Sequence, residues 1–425
     1  MSTEIENEGP ATVVEDEAPS LLGKGGHGGV GDAVRSYFQR VRGGDMGPLP
    51  AVGGLVVLVV IFAIANPLFL TERNIANLFT QAAPLVTLGM ALVFVLLLGE
   101  IDLSAGVTFG VAMGVFVKLT QPGGMAWPLA LLLALGIGVA VGGFIGFFVA
   151  RIGVPSFVVS LGLFLGLQGV MLVIIGAGGT YRLSPSQIRA IQNQNLPPWA
   201  GWTMLGVVLG VLFAVALLDR RRRAASGAPN PPASIMYAKL GVIAVLGAFV
   251  VFYLNQDRGT AARSLQGVPI VVPLVLLILM VGTYVLDRTR FGRYIYAIGG
   301  NTEAARRAGV NVTLVKWSAF VVCSVLAVVA GIFTVSKVGS ADAAMGREIV
   351  LSGVAAAVVG GVSLFGGRGR LVHAVIGATV IAVITNGMGL LKFSAGANLA
   401  VTGGVLVLAA TVDALARKRS GATGV

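Results

Sequence analysis

Runs of about twenty apolar residues recur along the whole of this chain, each long enough to cross ~30 Å of hydrocarbon as a helix. In lipid every backbone polar group must be paired within the protein, which leaves helices or a closed barrel. A barrel would alternate apolar and polar residues over segments of about ten, and no such alternation is present. With 56% hydrophobic and 11% charged residues and a mean hydropathy of +0.90, a water-facing surface could not be covered. The expectation is an all-α polytopic transmembrane bundle of about 10–12 spans.

Reading the runs in order predicts spans over residues 51–69, 81–98, 105–118, 127–150, 156–177, 201–218, 239–254, 268–286, 317–338, 350–365, 371–391 and 397–414. Two of these, 105–118 and 350–365, are short and rich in small residues, so either is a potential half-span. Such breaks are tolerated only inside protein or beside a water-filled cavity. An even count puts both termini on one side. Most of the 30 basic residues then fall on that side, which makes it cytoplasmic. The net charge of +12 is therefore a topology signal, and no basic run is interleaved with aromatics as nucleic-acid binding would require.

Residues 1–50 begin acidic and turn glycine-rich, with no apolar core of a signal peptide, and read as a disordered cytoplasmic tail. Its Gly23–Gly29 run follows no strand and lacks the Lys-Ser/Thr ending of a phosphate loop. Residues 51–416 form the membrane body, and 417–425 a second cytoplasmic tail. Within the body, 179–200 is a polar outer loop, 201–254 an added pair of spans, and 287–316 a basic inner loop. The lone Cys323 excludes a disulfide within the chain. His27 and His373 are too far apart in sequence to suggest a metal site, and no cofactor is expected.

The inner loop carries the most distinctive chemistry. Glu303, Ala304 and Ala305 would start a short helix with a flat small-residue face, Arg306 and Arg307 add charge, and Gly309 would end it. From the residues alone this is either a surface for a partner or a loop that only fixes topology. Glu100, Asp102 and Ser104 lie where the second span ends. Asp102 with Ser104 fits a cap and gate hinge at the start of the third span, with direct solute contact as the alternative. Gln81, Thr87, Thr108, Gln168 and Asn386 could line a path or make helix–helix hydrogen bonds. Phe109, Phe157 and Phe164 could stack on a passing solute or simply pack. The glycine series 142–143–146 and 162–166–169 read as close-packing faces.

The run Glu303–Gly309, EAARRAG, resembles the Glu-Ala-Ala coupling motif of bacterial ABC importer permeases, and FGRYIYAIGGNTEAARRAGVNV resembles its form in ribose- and xylose-type sugar permeases. Leu78–Gly106, ending in Ile101-Asp102-Leu103-Ser104, is similar to a second signature of that family. Glu100, Val154–Phe157, Gly267–Pro269, Asn386–Met388 and the added span pair resemble its D-xylose branch. The resemblance covers about residues 51–416 and implies a type II-like permease that works as a homodimer in a bacterial inner membrane, in contact with its lipids. It implies a cytoplasmic ATPase with two nucleotide-binding halves docked on Glu303, Ala304, Ala305, Arg306 and Gly309. An extracellular or periplasmic binding protein would deliver a monosaccharide, D-xylose above all, with ribose or a nucleoside as the alternative. The chain has no phosphate-binding loop of its own, so it is expected to be a transport subunit rather than an enzyme. An ion-gradient-driven secondary transporter is the rival, and it predicts mid-span acids and inverted repeats, neither evident in the sequence.

Overall fold

The computed structural model describes residues 49–228, 230–259 and 264–422. The tail expected over residues 1–50 lies, up to residue 48, outside them. The described chain is almost wholly helical, as its composition requires. It runs α1 (Leu49–Ala65), α2 (Glu72–Leu96), α3 (Ala105–Leu119), α4 (Trp127–Phe147), α5 (Ser156–Ile175), β1 (Thr180–Arg182), α6 (Ser186–Asn193), α7 (Pro198–Ala225) and α8 (Ala233–Leu254). There follow α9 (Val271–Arg288), α10 (Arg290–Gly300), α11 (Thr302–Arg307), α12 (Val312–Val338), β2 (Ser340–Asp342), α13 (Ile349–Val359), α14 (Leu371–Leu390) and α15 (Ala395–Ala422). Eight of these, α2, α4, α5, α7, α8, α9, α12 and α14, are long and apolar enough to cross a membrane.

Helices α2 and α12 form the centre. From Ala82 to Leu96 every residue of α2 is buried, with α12, α13 and α14 packed round it. On its far side α12 takes α4, and the glycines of α4 set that distance. A Cβ on Gly142 would sit 2.6 Å from the carbonyl of Phe320, and one on Gly146 would sit 2.8 Å from Trp317 Cα. The second glycine series behaves differently. Gly162, Gly166 and Gly169 on α5 meet nothing within 4 Å, so that stripe faces away from the rest of its own chain. The hairpin α7–α8 packs mainly on itself and leaves Val207, Val245, Leu246 and Phe249 exposed, a surface that lipid can cover.

The two short segments are broken spans. Helix α3 has 15 residues and α13 has 11, giving roughly 22 and 16 Å of helix against ~30 Å of hydrocarbon. Non-helical chain precedes each of them, residues 97–104 before α3 and 343–348 before α13. The two meet at Gly106 and Gly346, where a Cβ on either residue would lie 2.3 or 2.0 Å from the carbonyl of the other. Gly346 also has φ +89°, which a side chain would strain. The helical part of α3 reaches the face bearing β1 and α6, where Lys118 Nζ donates to the carbonyl of Ile174 at the end of α5. The helical part of α13 reaches the opposite face. The two breaks are thus inverted relative to each other, an arrangement too short-ranged for hydropathy to reveal.

Other boundaries shift for local reasons. Helix α2 starts nine residues before the apolar run at 81, because Thr71 caps it by accepting from Asn74 N–H. Helix α7 continues through Arg220–Arg223, and α15 runs to Ala422 where a tail was expected from 417. The outer loop is ordered by α6 and by the antiparallel pairing of Tyr181 with Ala341.

Candidate functional site

Three groups of residues stand out, one at each level of the bundle. On the face where α2 ends, residues 289–311 fold into two short helices. Thr289 caps α10 by accepting from Gly292 N–H, and α10 buries Gly292, Ile295 and Ile298 on one side. Asn301 caps α11, its Oδ1 2.9 Å from Ala304 N. At the other end Gly309 adopts φ +82°, with its N–H on Arg306 O and Val310 N–H on Ala305 O. That paired closure is the Schellman stop, which favours glycine in the left-handed position. Ala305 is buried while Ala304, Arg306 and Gly309 are exposed. Glu303 and Arg306 pair at 2.6 Å with both side chains more than half exposed.

This knob is clamped to the transmembrane core. A Cβ on Gly299 would lie 1.8 Å from the carbonyl of Leu97, and that same carbonyl accepts from Gly367 N–H at 2.8 Å. Tyr296 Oη donates to Gly369 O at 2.8 Å. Burial pushes the Tyr296 phenol up to about 12, so it stays a donor at physiological pH. Arg288, at the start of the knob, holds Asp219 at the end of α7 through both of its terminal nitrogens. The end of α2, the link from α13 to α14 and the knob therefore form one piece.

The second group is the break between α2 and α3. Glu100 pairs with Lys316 in the first turns of α12, and both side chains are less than one-fifth exposed. Asp102 is fully buried. Its Oδ1 accepts from Ser104 N–H at 2.9 Å and from Ser104 Oγ at 2.7 Å, so it fastens the residue that precedes α3. The Cys323 thiol lies beside it. Ser156 Oγ accepts from Ile101 N–H, which fixes the extended segment to α5.

The third group lines a cleft of about 480 Å³ between α2, α12, α13 and α14. Asn74 and Asn386 exchange amide hydrogen bonds at 2.9 and 3.0 Å, and Asn386 also donates to Gln81 Oε1 at 3.1 Å. Lys337 Nζ donates to Asn77 Oδ1 at 2.8 Å and to Thr80 Oγ1 at 2.6 Å. The cleft adjoins a second, wider one of about 700 Å³ that Asn74, Asn77 and Lys337 also line. Towards the knob every residue of α2 from Leu88 to Leu96 is buried.

Of the path candidates, Gln81 and Asn386 come together here. Thr108 is fully buried in α3, Thr87 donates to the carbonyl of Ala83 within α2, and neither lines the cleft. Gln168 is on α5, also outside it, and Phe109 is wholly buried while Phe157 is exposed. Sequence reasoning missed Asn74, Asn77, Lys316 and Lys337. Asn74, Asn77 and Gln81 are spaced to share one helix face, a signal hidden because the first two precede the apolar window. Lys316 and Lys337 sit at span ends, where lysines usually reach for water. Among the described residues no group of three or more His, Cys, Asp or Glu could hold a metal ion.

A family model described as the branched-chain amino acid transport system permease component matches residues 74–410. The chain is 32% identical over 370 residues to the xylose transport system permease protein XylH of Escherichia coli K12, covering 87% of this chain and 92% of that one. It is 30% identical to XylH of Haemophilus influenzae, covering 86% and 95%. To the ribose import permease protein RbsC of Escherichia coli K12 it is 29% identical, covering 84% and 91%. No solved structure matches the chain.

Proposed function

Given that this chain belongs to the permease family matched over residues 74–410, we propose that it is the membrane subunit of an ATP-driven importer of D-xylose or a closely related aldose. The observation that carries the sugar assignment is the similarity to xylose permeases over nearly the full length of both chains. As a transport subunit it carries out no chemistry, and hydrolysis belongs to a separate cytoplasmic ATPase with two nucleotide-binding halves. That ATPase docks on Glu303, Ala304, Ala305, Arg306 and Gly309, where small side chains let a groove approach closely. A binding protein outside the membrane delivers the sugar, and two copies of the chain enclose the path in the bacterial inner membrane, with both termini cytoplasmic.

The mechanism follows from the clamp. An ATPase that binds two permease states unequally can shift their populations, and only by that difference in affinity. Movement of α11 carries Gly299 and Tyr296 with it, and through them the end of α2 and the loop before α14. Glu100 and Lys316 pass the same displacement to α12. The segment 99–104, capped through Asp102 and Ser104, is the hinge where helix geometry is already interrupted. Opening this level while closing the cleft above it gives alternating access.

Reconstitution of the permease with the ATPase and the binding protein in proteoliposomes tests the reading. Uptake of D-xylose that depends on ATP and on the binding protein is expected. Uptake by the permease alone, driven by a sodium or proton gradient, would refute it. Competition by ribose in the same assay separates the two sugar branches.

A further inference from the structure

The cleft carries an electrostatic signature that the importer reading does not use. Lys337 stands where the two cavities join, half-buried, with only the neutral Asn77 and Thr80 as hydrogen-bond partners. Among the described residues no carboxylate pairs with it, and the salt bridges there engage other cations. Among the described residues no Asp or Glu lines either cavity, whereas the wider one adds Arg73 and Arg258. A positive charge on the wall of a low-dielectric cleft acts over its whole width.

The polar wall is also biased towards donors. An ammonium group has three protons and no acceptor, and Lys337 commits two of them. Gln81 is held by its oxygen, which accepts from Asn386, so its amide NH2 is left for a solute. Asn74 and Asn386 are tied to one another, with the NH2 protons of both spent on each other, on the Phe69 carbonyl and on Gln81, so the protons left free on this wall are those of Lys337 and Gln81. Such a wall receives the lone pairs of hydroxyl oxygens. It offers no oxygen cage for a metal cation and repels an ammonium group.

We propose that the joined clefts are the outward mouth of the translocation path, and that Lys337 is its specificity-determining residue, admitting uncharged polyhydroxyl solutes and rejecting cationic ones. This rests on the importer reading for its substrate, but the charge filter can be measured without it. The only cysteine, Cys323, is buried, so a Ser352→Cys variant places a single accessible thiol on the cleft wall. In membranes, the anionic and cationic methanethiosulfonate reagents (sulfonatoethyl and trimethylammonioethyl) are applied from outside. Removing one unit charge several ångströms away changes the ratio of their rates by about five- to tenfold. Adding Lys337→Gln should therefore cut the preference for the anionic reagent by that factor.

In the reconstituted importer, Lys337→Gln should lower D-xylose uptake by about tenfold and raise the uptake of 2-amino-2-deoxy-D-xylose relative to it, with Lys337→Arg restoring both. A thiol at 352 that reacts with neither reagent would overturn the mouth, and an unchanged rate ratio would overturn the filter. The expected shift in rate ratio on Lys337→Gln, together with no sugar uptake by the wild-type complex, would sink the importer reading and leave the filter standing. A merely structural role for Lys337 would lower uptake of both sugars equally, which also counts against the proposal.

Discussion

At the scale of single residues, the informative feature is which charges are paired and how deeply. Glu303 and Arg306 form an exposed pair three residues apart, and such pairs contribute on the order of 0.3–0.5 kcal/mol to a helix. Stability therefore does not explain the glutamate, and Glu303→Lys should leave expression and thermal stability unchanged. ATP-dependent uptake should nevertheless vanish; normal uptake by that variant would remove the docking surface from α11. Glu100 and Lys316 are the opposite case, a largely buried pair. Removing one partner strands the other charge. Glu100→Ala should cost roughly 2–3 kcal/mol, while Glu100→Met with Lys316→Met should recover much of it. Thermal unfolding of the two variants in detergent checks the order. The glutamate was legible in the sequence as a carboxylate at a span end. Its lysine, 216 residues later, was not, because nothing local announces a partner brought in by α12.

At the scale of elements, the two broken spans decide the architecture. Helices α3 and α13 are each too short to cross alone, and their ends meet backbone to backbone at Gly106 and Gly346. Gly346→Ala meets both a left-handed backbone and the carbonyl of Gly106 at 2.0 Å. Backbone cannot yield as a flexible side chain can, so a loss of at least about 3 kcal/mol is expected. Gly162→Ala on α5 has open space around it in the chain, and should leave the fold of a single copy within about 0.5 kcal/mol of the parent. The pair measured side by side by thermal unfolding distinguishes a glycine needed for close approach from one that is not. The sequence marked both short segments as possible half-spans through their glycine content. It could not tell which half of each was helical, since the choice depends on a contact between residues 240 positions apart.

At the scale of the whole molecule, the knob, the end of α2 and the loop before α14 move as one piece or not at all. Gly299 is the tightest point of that joint. A Gly299→Ala methyl would fall 1.8 Å from the carbonyl of Leu97, pushing α10 off the core without touching the surface proposed for the ATPase. Docking should persist and transport per ATP should drop by about tenfold or more, since misplacing a coupled element by an ångström carries costs of that order. Parallel measurement of ATPase binding and of sugar carried per ATP hydrolysed checks this. Equal loss of both would place Gly299 in folding rather than in coupling.

The sequence by itself determined the class, because recurring apolar runs leave a chain no option except helices in lipid. It also determined the local shape of the segment 301–310, since the capping residues Asn301 and Gly309 and the small residues between them act within one or two turns. Only the tertiary structure decided where that segment is anchored, which short span is helical at which end, and which polar side chains share a cleft. Those are long-range contacts made by backbone carbonyls and by lysines at span ends. Hydropathy averages over neighbours in sequence, and it carries no information about neighbours in space.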